Sequence, residues 1–123
     1  MAAVLKAIDV ELFLLDKLRA AFPGVKFARS APPTIPPRLI TLRRLGGPEL
    51  NPIVDQAHID IIVYAPTDLE VNDLALKVQA FLSVINEGAV CSVSVSGPSD
   101  LGGATPRRYM YADVRLARLA FTL

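Results

Sequence analysis

Between Ala57 and Tyr64 the sequence alternates in strict two-residue register. Ala57, Ile59, Ile61 and Val63 fall on one side of an extended chain, and His58, Asp60, Ile62 and Tyr64 on the other. Successive side chains of a strand point to opposite faces, so this run predicts a sheet with one apolar face to be covered and one face more polar. Two segments are patterned to do the covering. From Asp9 to Phe22, Val10, Phe13, Leu14, Leu18 and Ala21 recur at helical spacing, while Glu11, Asp16, Lys17 and Arg19 mostly take the other side. Pro23-Gly24 ends that helix, because proline cannot continue it and glycine tolerates a reversed backbone. The second helix opens at Thr67-Asp68-Leu69-Glu70, a capping-box pattern in which a hydroxyl and a carboxylate satisfy amides left unpaired by the first turn. It continues through Val71, Leu74, Ala75, Val78, Phe81, Leu82 and Ile85, with Asn72, Asp73, Lys77 and Gln79 opposite, and stops at Asn86 to Gly88.

The remaining strands read from the same alternation. Val25 to Ala28 is a short strand; Arg38 to Leu45 sets Leu39, Thr41 and Arg43 against Ile40, Leu42 and Arg44 before a turn at Gly46-Gly47-Pro48. Ala89, Cys91, Val93 and Val95 form the apolar side of a strand whose other side is Val90, Ser92, Ser94 and Ser96, and Gly97-Pro98 closes it. On this phase Cys91 is an inert core residue. The last strand, Arg107 to about Leu119, buries Met110, Ala112, Val114 and Leu116 and turns Tyr109, Tyr111, Asp113 and Arg115 away. Ser30 to Pro37 has four prolines in eight residues, Pro32, Pro33, Pro36 and Pro37. Proline removes a backbone donor and pushes its predecessor into extended geometry, so this segment is a stiff loop or arm.

The predicted fold class is therefore α+β: a single mainly antiparallel β-sheet with two amphipathic helices packed on one face, in the order α-β-β-β-α-β-β. One domain spans residues 1–123, with the proline-rich loop at 30–37 and a Gly/Pro loop at 97–106. A chain of this size buries about two-thirds of its unfolded surface, and 52% hydrophobic residues supply the core. The uncovered face is expected to carry Thr41, Arg43, His58, Asp60, Tyr64, Ser92, Ser94, Tyr109, Tyr111, Asp113 and Arg115.

Composition narrows the function. Thirteen Lys and Arg against twelve Asp and Glu leave a net charge of +1, too balanced for a polyanion-binding field over the whole surface. One cysteine allows no intramolecular disulfide, which points to a reducing compartment. The residues from Met1 to Ile8 do not have the basic start and apolar run of an export signal, and no stretch of about 18 apolar residues suits a membrane span. The expectation is a protein that is cytosolic when made.

Candidate chemistry is sparse. His58 and Asp60 project from one strand face, a geometry that can orient an imidazole for base catalysis, but no nucleophile is indicated nearby and a solvated cross-strand pair is the preferred reading. One histidine cannot seed a metal site. Gly46-Gly47 and Gly102-Gly103 do not show the spacing of phosphate loops and read as strand connections. Arg43-Arg44 and Arg107-Arg108 can touch DNA phosphates or acidic partners, or serve in ion pairs; adjacent strand residues face opposite ways, so a pair cannot place both guanidiniums on one surface. The chain is thus read as an interaction protein, with no catalytic residue, cofactor or metal expected.

Taken in order, the helix ending in Phe22-Pro23-Gly24-Val25, the proline-rich stretch, Arg38 to Gly47, Asp55, the Ile59-Asp60-Ile61 strand, the second helix, Ser96-Gly97-Pro98, and Pro106-Arg107-Arg108-Tyr109 leading into Val114-Arg115-Leu116 form a layout over nearly the full chain. That layout resembles the tail terminator proteins of long-tailed bacteriophages, also described as head-tail joining or minor tail proteins. The resemblance implies a virion protein, assembled in the bacterial cytoplasm, that forms a hexameric ring at the head-proximal end of the tail tube. There it stops tube polymerisation, offers a surface to the head connector and lets genomic DNA pass. Its expected partners are copies of itself, the tail tube protein and the head connector. The expected contact residues are Pro32, Pro33, Pro36, Pro37, Arg43, Arg44, Arg107, Arg108 and Tyr109. The same features permit a head-closure protein of the virion neck, or a small nucleic-acid-binding domain that stacks bases on Tyr109 and Tyr111.

Overall fold

The computed structural model describes residues 3–6, 8–46 and 54–122. Its elements are β1 (Ala3–Lys6), α1 (Val10–Ala21), β2 (Lys26–Ala28), β3 (Leu39–Gly46), β4 (Val54–Tyr64), α2 (Asp68–Ser83), β5 (Val90–Asp100), β6 (Arg107–Ala117) and β7 (Leu119–Thr122). Five strands form one sheet in the order β2-β3-β4-β6-β5. Three of its ladders are antiparallel, and β2 runs parallel to β3. The architecture is α+β with a mixed, mostly antiparallel sheet.

Two features depart from the single sheet expected from sequence. First, β1 and β7 pair with each other in a separate two-stranded antiparallel sheet. Each has four residues, too short to display a period, and the β6 pattern ran on to Leu119 without marking the break at Arg118. The element order therefore gains a strand at each end. Second, the parallel β2–β3 pair needs a crossover, and the proline-rich segment between Arg29 and Arg38 is that connection. The turn expected at Gly46-Gly47-Pro48 is described only as far as Gly46, where β3 ends; Gly47 and Pro48 lie outside the described residues.

Helix α1 starts where Asp9 Oδ1 accepts a hydrogen bond from the Leu12 amide at 3.1 Å, and it closes where the Phe22 amide donates to the Leu18 carbonyl at 2.8 Å. Its buried residues are Val10, Leu14, Leu15 and Leu18; Phe13 is half-buried, and Ala21, expected inward, is exposed. Helix α2 starts at Thr67, whose hydroxyl accepts from the Glu70 amide at 3.2 Å, while the Glu70 carboxylate pairs with Arg38 at 3.5 Å. It buries Val71, Leu74, Ala75, Val78 and Leu82, and Ile85 follows them into the core. Helix α1 lies against β2 and β3, and α2 against β4, β5 and β6. Their buried residues join Ala57, Ile59, Ile61, Val63, Met110, Ala112, Val114 and Leu116 in one cluster. Between the helices, Phe22 and Phe81 meet edge to face at 5.8 Å.

Strand β5 corrects the sequence reading most. It does not close at Gly97-Pro98 but continues to Asp100 through a cis Gly97–Pro98 peptide, so the expected 97–106 loop contracts to residues 101–106. Its register against β6 slips between Val90 and Ser92 and again between Ser96 and Ser99. The first slip makes Cys91 an extra residue and reverses the phase: Val90 and Val93 are buried, and Cys91 is exposed, not part of the core. At the second slip Gly97 adopts φ +104°, and a Cβ there would stand 2.8 Å from the Tyr109 carbonyl oxygen. Gln79 of α2 donates to the Val95 and Gly97 carbonyls at 3.4 and 3.0 Å, fastening the helix to this edge strand.

Replacing Gly97 with alanine is expected to destabilise the fold by about 3 kcal/mol, because both the positive φ and the backbone contact exclude a side chain. Urea unfolding of Gly97→Ala beside Gly102→Ala, where nothing stands within 4 Å of an added Cβ, checks this: both lose the positive-φ allowance, and only Gly97 adds the clash.

Candidate functional site

The face of the sheet turned away from the helix-packed core is built by register. Strand pairing sets Arg43 opposite Asp60, Asp60 opposite Tyr111, Ile62 opposite Tyr109 and His58 opposite Asp113, and Ser94 and Ser96 extend the row onto β5. Cross-strand neighbours on one face are within reach of each other, so the polar residues join into a ladder. The Tyr109 hydroxyl donates to Asp60. His58 Nδ1 lies against both the Tyr111 hydroxyl and the Asp113 carboxylate, and the His58 and Tyr111 rings stack with centroids 5.4 Å apart. One ring nitrogen can serve only one of these oxygens fully at a time.

The electrostatics follow from these contacts. The hydrogen bond to Asp60 holds the Tyr109 phenol in its neutral form, and burial and the Asp60 charge add to this, pushing it from 10.0 up to about 12. Tyr111 is raised as well, first by desolvation and then by the charges of Asp113 and Asp60. Both tyrosines are therefore neutral at pH 7, Tyr109 as a donor to Asp60 and Tyr111 in contact with His58. The carboxylates of Asp60 and Asp113 beside these rings repel a phosphate, which weighs against base stacking on this face.

One end of the face is covered. Tyr64 is only 7% exposed, and Thr41 and Leu39 are also buried, although Thr41 and Tyr64 were expected on the open surface. Ala31 and Ile35 of the proline-rich segment and Gly103 to Thr105 of the loop before β6 surround Tyr64 in a cavity of about 360 Å³. A second cavity, of about 230 Å³, lies between Arg29 to Ala31 and the residues Thr41, Arg43, Asp60 and Ile62. The crossover is thus laid against the sheet: Pro36 is partly buried, and Pro32, Pro33 and Pro37 remain exposed.

The four arginines separate. Arg43 is exposed on the tyrosine face and has no ion pair or hydrogen bond among the described residues. Arg44, its neighbour, turns to the other side, where its guanidinium meets Asp55 at 3.1 Å and its amide donates to Glu11 at 2.7 Å. Arg107 donates to the Gly102 carbonyl at 3.0 Å and so fixes the 101–106 loop. Arg108, 13% exposed in its side chain, bridges Asp68 at the start of α2 and Asp100 at the end of β5, at 3.6 and 3.5 Å. Arg44, Arg107 and Arg108 are engaged within the chain, and of the four Arg43 alone is open to a partner.

Sequence reasoning missed the pairing partners. Asp55, 3% exposed, accepts from Arg44 and from the Gln56 amide at 2.9 Å, with Arg118 at 4.0 Å; an aspartate two residues before the alternating run that starts at Ala57, in phase with its apolar side, is the only hint in the sequence. Among the described residues no group of three or more His, Cys, Asp or Glu is placed to hold a metal ion, and no helix is long and apolar enough to cross a membrane. No protein-family model matches this chain, and no curated protein matches it.

Because the folded Tyr109 pKa stands above its unfolded value, the Tyr109–Asp60 bond contributes stability that is complete below pH 10 and is lost as pH rises through about 12. Spectrophotometric titration of phenolate absorbance is expected to show one tyrosine ionising near pH 12, and Asp60→Ala is expected to return it toward 10.

Proposed function

We propose that this chain is a structural subunit that assembles head to tail into a closed ring. Within that class, the reading is a tail terminator of a long-tailed bacteriophage, which caps the head-proximal end of the tail tube, halts its growth and presents a surface to the head connector. The observation that carries the ring is the pair of unlike sheet borders. One is β2, three residues long and parallel to its neighbour; the other is β5, eleven residues long, antiparallel and twice shifted in register. A cyclic assembly of identical chains needs two different surfaces per subunit, and it closes only when the rotation between them is right.

The polar face suits a scaffold. Its tyrosines, histidine and aspartates are cross-bonded to each other, which makes the surface rigid before any partner arrives, so that little side-chain freedom is lost on docking. The stiff proline-rich crossover acts in the same direction. Arg43 and Arg115 against Asp60 and Asp113 leave the face nearly balanced in charge, and a balanced lining allows DNA to slide where a cationic one would hold its phosphates. The particular role as terminator rests on the order of segments along the chain.

Light scattering after size-exclusion chromatography, together with negative-stain electron microscopy, is expected to give a ring with a central hole, alone or on addition of the phage tail tube protein. A strict monomer under both conditions overturns the reading. In the phage, loss of the chain is expected to leave overlong tubes; finished tails beside unattached heads would assign it to head closure instead.

A further inference from the structure

The cavity of about 230 Å³ under the start of the crossover holds polar groups that the fold leaves unused. Thr41 and Tyr64 line it and are only 6% and 7% exposed, yet neither hydroxyl has a hydrogen-bond partner among the described residues. Buried hydroxyls are ordinarily satisfied, because leaving one without a partner forfeits its hydration for nothing. Neither oxygen is among the side-chain atoms sealed from open space without a partner, so each reaches the cavity that it lines.

Two opposite charges stand at the same cavity without meeting. Arg43 and Asp60 are cross-strand partners on β3 and β4 and both line the space, but they form no ion pair with each other. Arg43 has no partner among the described residues. Asp60 accepts from Tyr109 through Oδ1, and its second oxygen accepts from none of them. A simple anion placed here meets the Asp60 carboxylate, and a simple cation meets the Arg43 guanidinium; a molecule carrying both signs satisfies both. Arg29 lies over the same cavity but is already engaged, holding Asp9 and Glu11 at 3.5 and 2.9 Å. Those pairs tie the roof of the cavity, residues 29–31, to the start of α1.

We propose that this cavity binds a free α-amino acid with an apolar side chain. The carboxylate lies on the planar guanidinium of Arg43, which matches it with two parallel hydrogen bonds, and the ammonium donates to the second oxygen of Asp60. The Thr41 and Tyr64 hydroxyls donate to the carboxylate or accept from the ammonium, since a hydroxyl does either. The side chain enters the adjoining cavity of about 360 Å³, which shares Ala31 and Tyr64 with the first and is lined further by Ile35 and Ala104. Apolar walls with a few convergent polar groups are the usual make-up of a small-molecule site, and the stiff proline-rich roof forms it in advance of the ligand. The site is contained within one chain and is independent of the ring reading.

Isothermal titration calorimetry of the purified chain with L-leucine tests this. Saturable binding is expected, with glycine weaker because it leaves the second cavity unfilled. Isocaproate and isoamylamine, which are leucine without its ammonium and without its carboxylate, are each expected to bind at least about tenfold more weakly than leucine. Arg43→Gln and Asp60→Asn are expected to lower leucine affinity by at least about tenfold as well. Because Asp60→Asn also alters the Tyr109 bond, the double variant Thr41→Val with Tyr64→Phe supplies a second check. It removes only hydroxyls without a partner, and is expected to keep the melting temperature while weakening leucine binding at least about threefold. The absence of saturable leucine binding, equal binding of isocaproate, or full affinity in Arg43→Gln overturns the proposal. Tighter binding of inorganic phosphate than of leucine overturns it too, and assigns the cavity to anions.

Discussion

Strand β4 is paired along its length with β6 and over most of it with β3, and every second side chain on it is buried: Ala57, Ile59, Ile61 and Val63. Burying each of the three larger ones contributes roughly 1.5–3 kcal/mol relative to exposure, and they share one core cluster with the buried residues of both helices. A one-residue slip of β4 would move the whole set to the other face. It would also break the ladder on the polar side, because Asp60 meets Tyr109 and His58 meets Asp113 only in the observed register. The core and the candidate surface therefore depend on the same alignment.

The ends of the sheet are held by charge. Asp55 is buried at the start of β4 and gathers Arg44 from β3 and Arg118 from the segment after β6; Arg108 joins the end of β5 to the start of α2. Pairs of this kind add little net stability when desolvation is counted, but removing one partner leaves a buried charge without compensation. Their effect is to specify which strand ends meet. The outer strand β5 is protected in a different way: two register shifts, a proline and the side chain of Gln79 interrupt what would otherwise be a long row of open backbone groups. An edge so interrupted discourages indiscriminate strand addition.

Much of the fold was legible because it rests on local patterns. The two helices start at Asp9 and Thr67 as their caps require, and the inward residues of β4 and β6 follow from alternation alone. The polar ladder was legible as a set of residues on one face. What alternation could not show was a bulge. A period of two places Cys91 inward only if it runs unbroken through a position where β5 holds one residue more than its partner, and Gly97-Pro98 reads as an ending where the strand passes through. The arginine pairs were legible as split between faces, yet their partners, Asp55, Asp68, Asp100 and the Gly102 carbonyl, are set by how distant segments come together.

By itself the sequence determined the two helices, the apolar face of β4 and β6 and the stiffness of residues 30–37, because periodicity, caps and proline geometry act over a few neighbouring residues. The tertiary structure decided the parallel placement of β2, the pairing of β1 with β7, the burial of Tyr64 beneath the crossover, and the engagement of three arginines that looked available. Those outcomes depend on contacts between residues far apart in the chain, where each choice is settled by which surfaces remain to be covered after the core has formed.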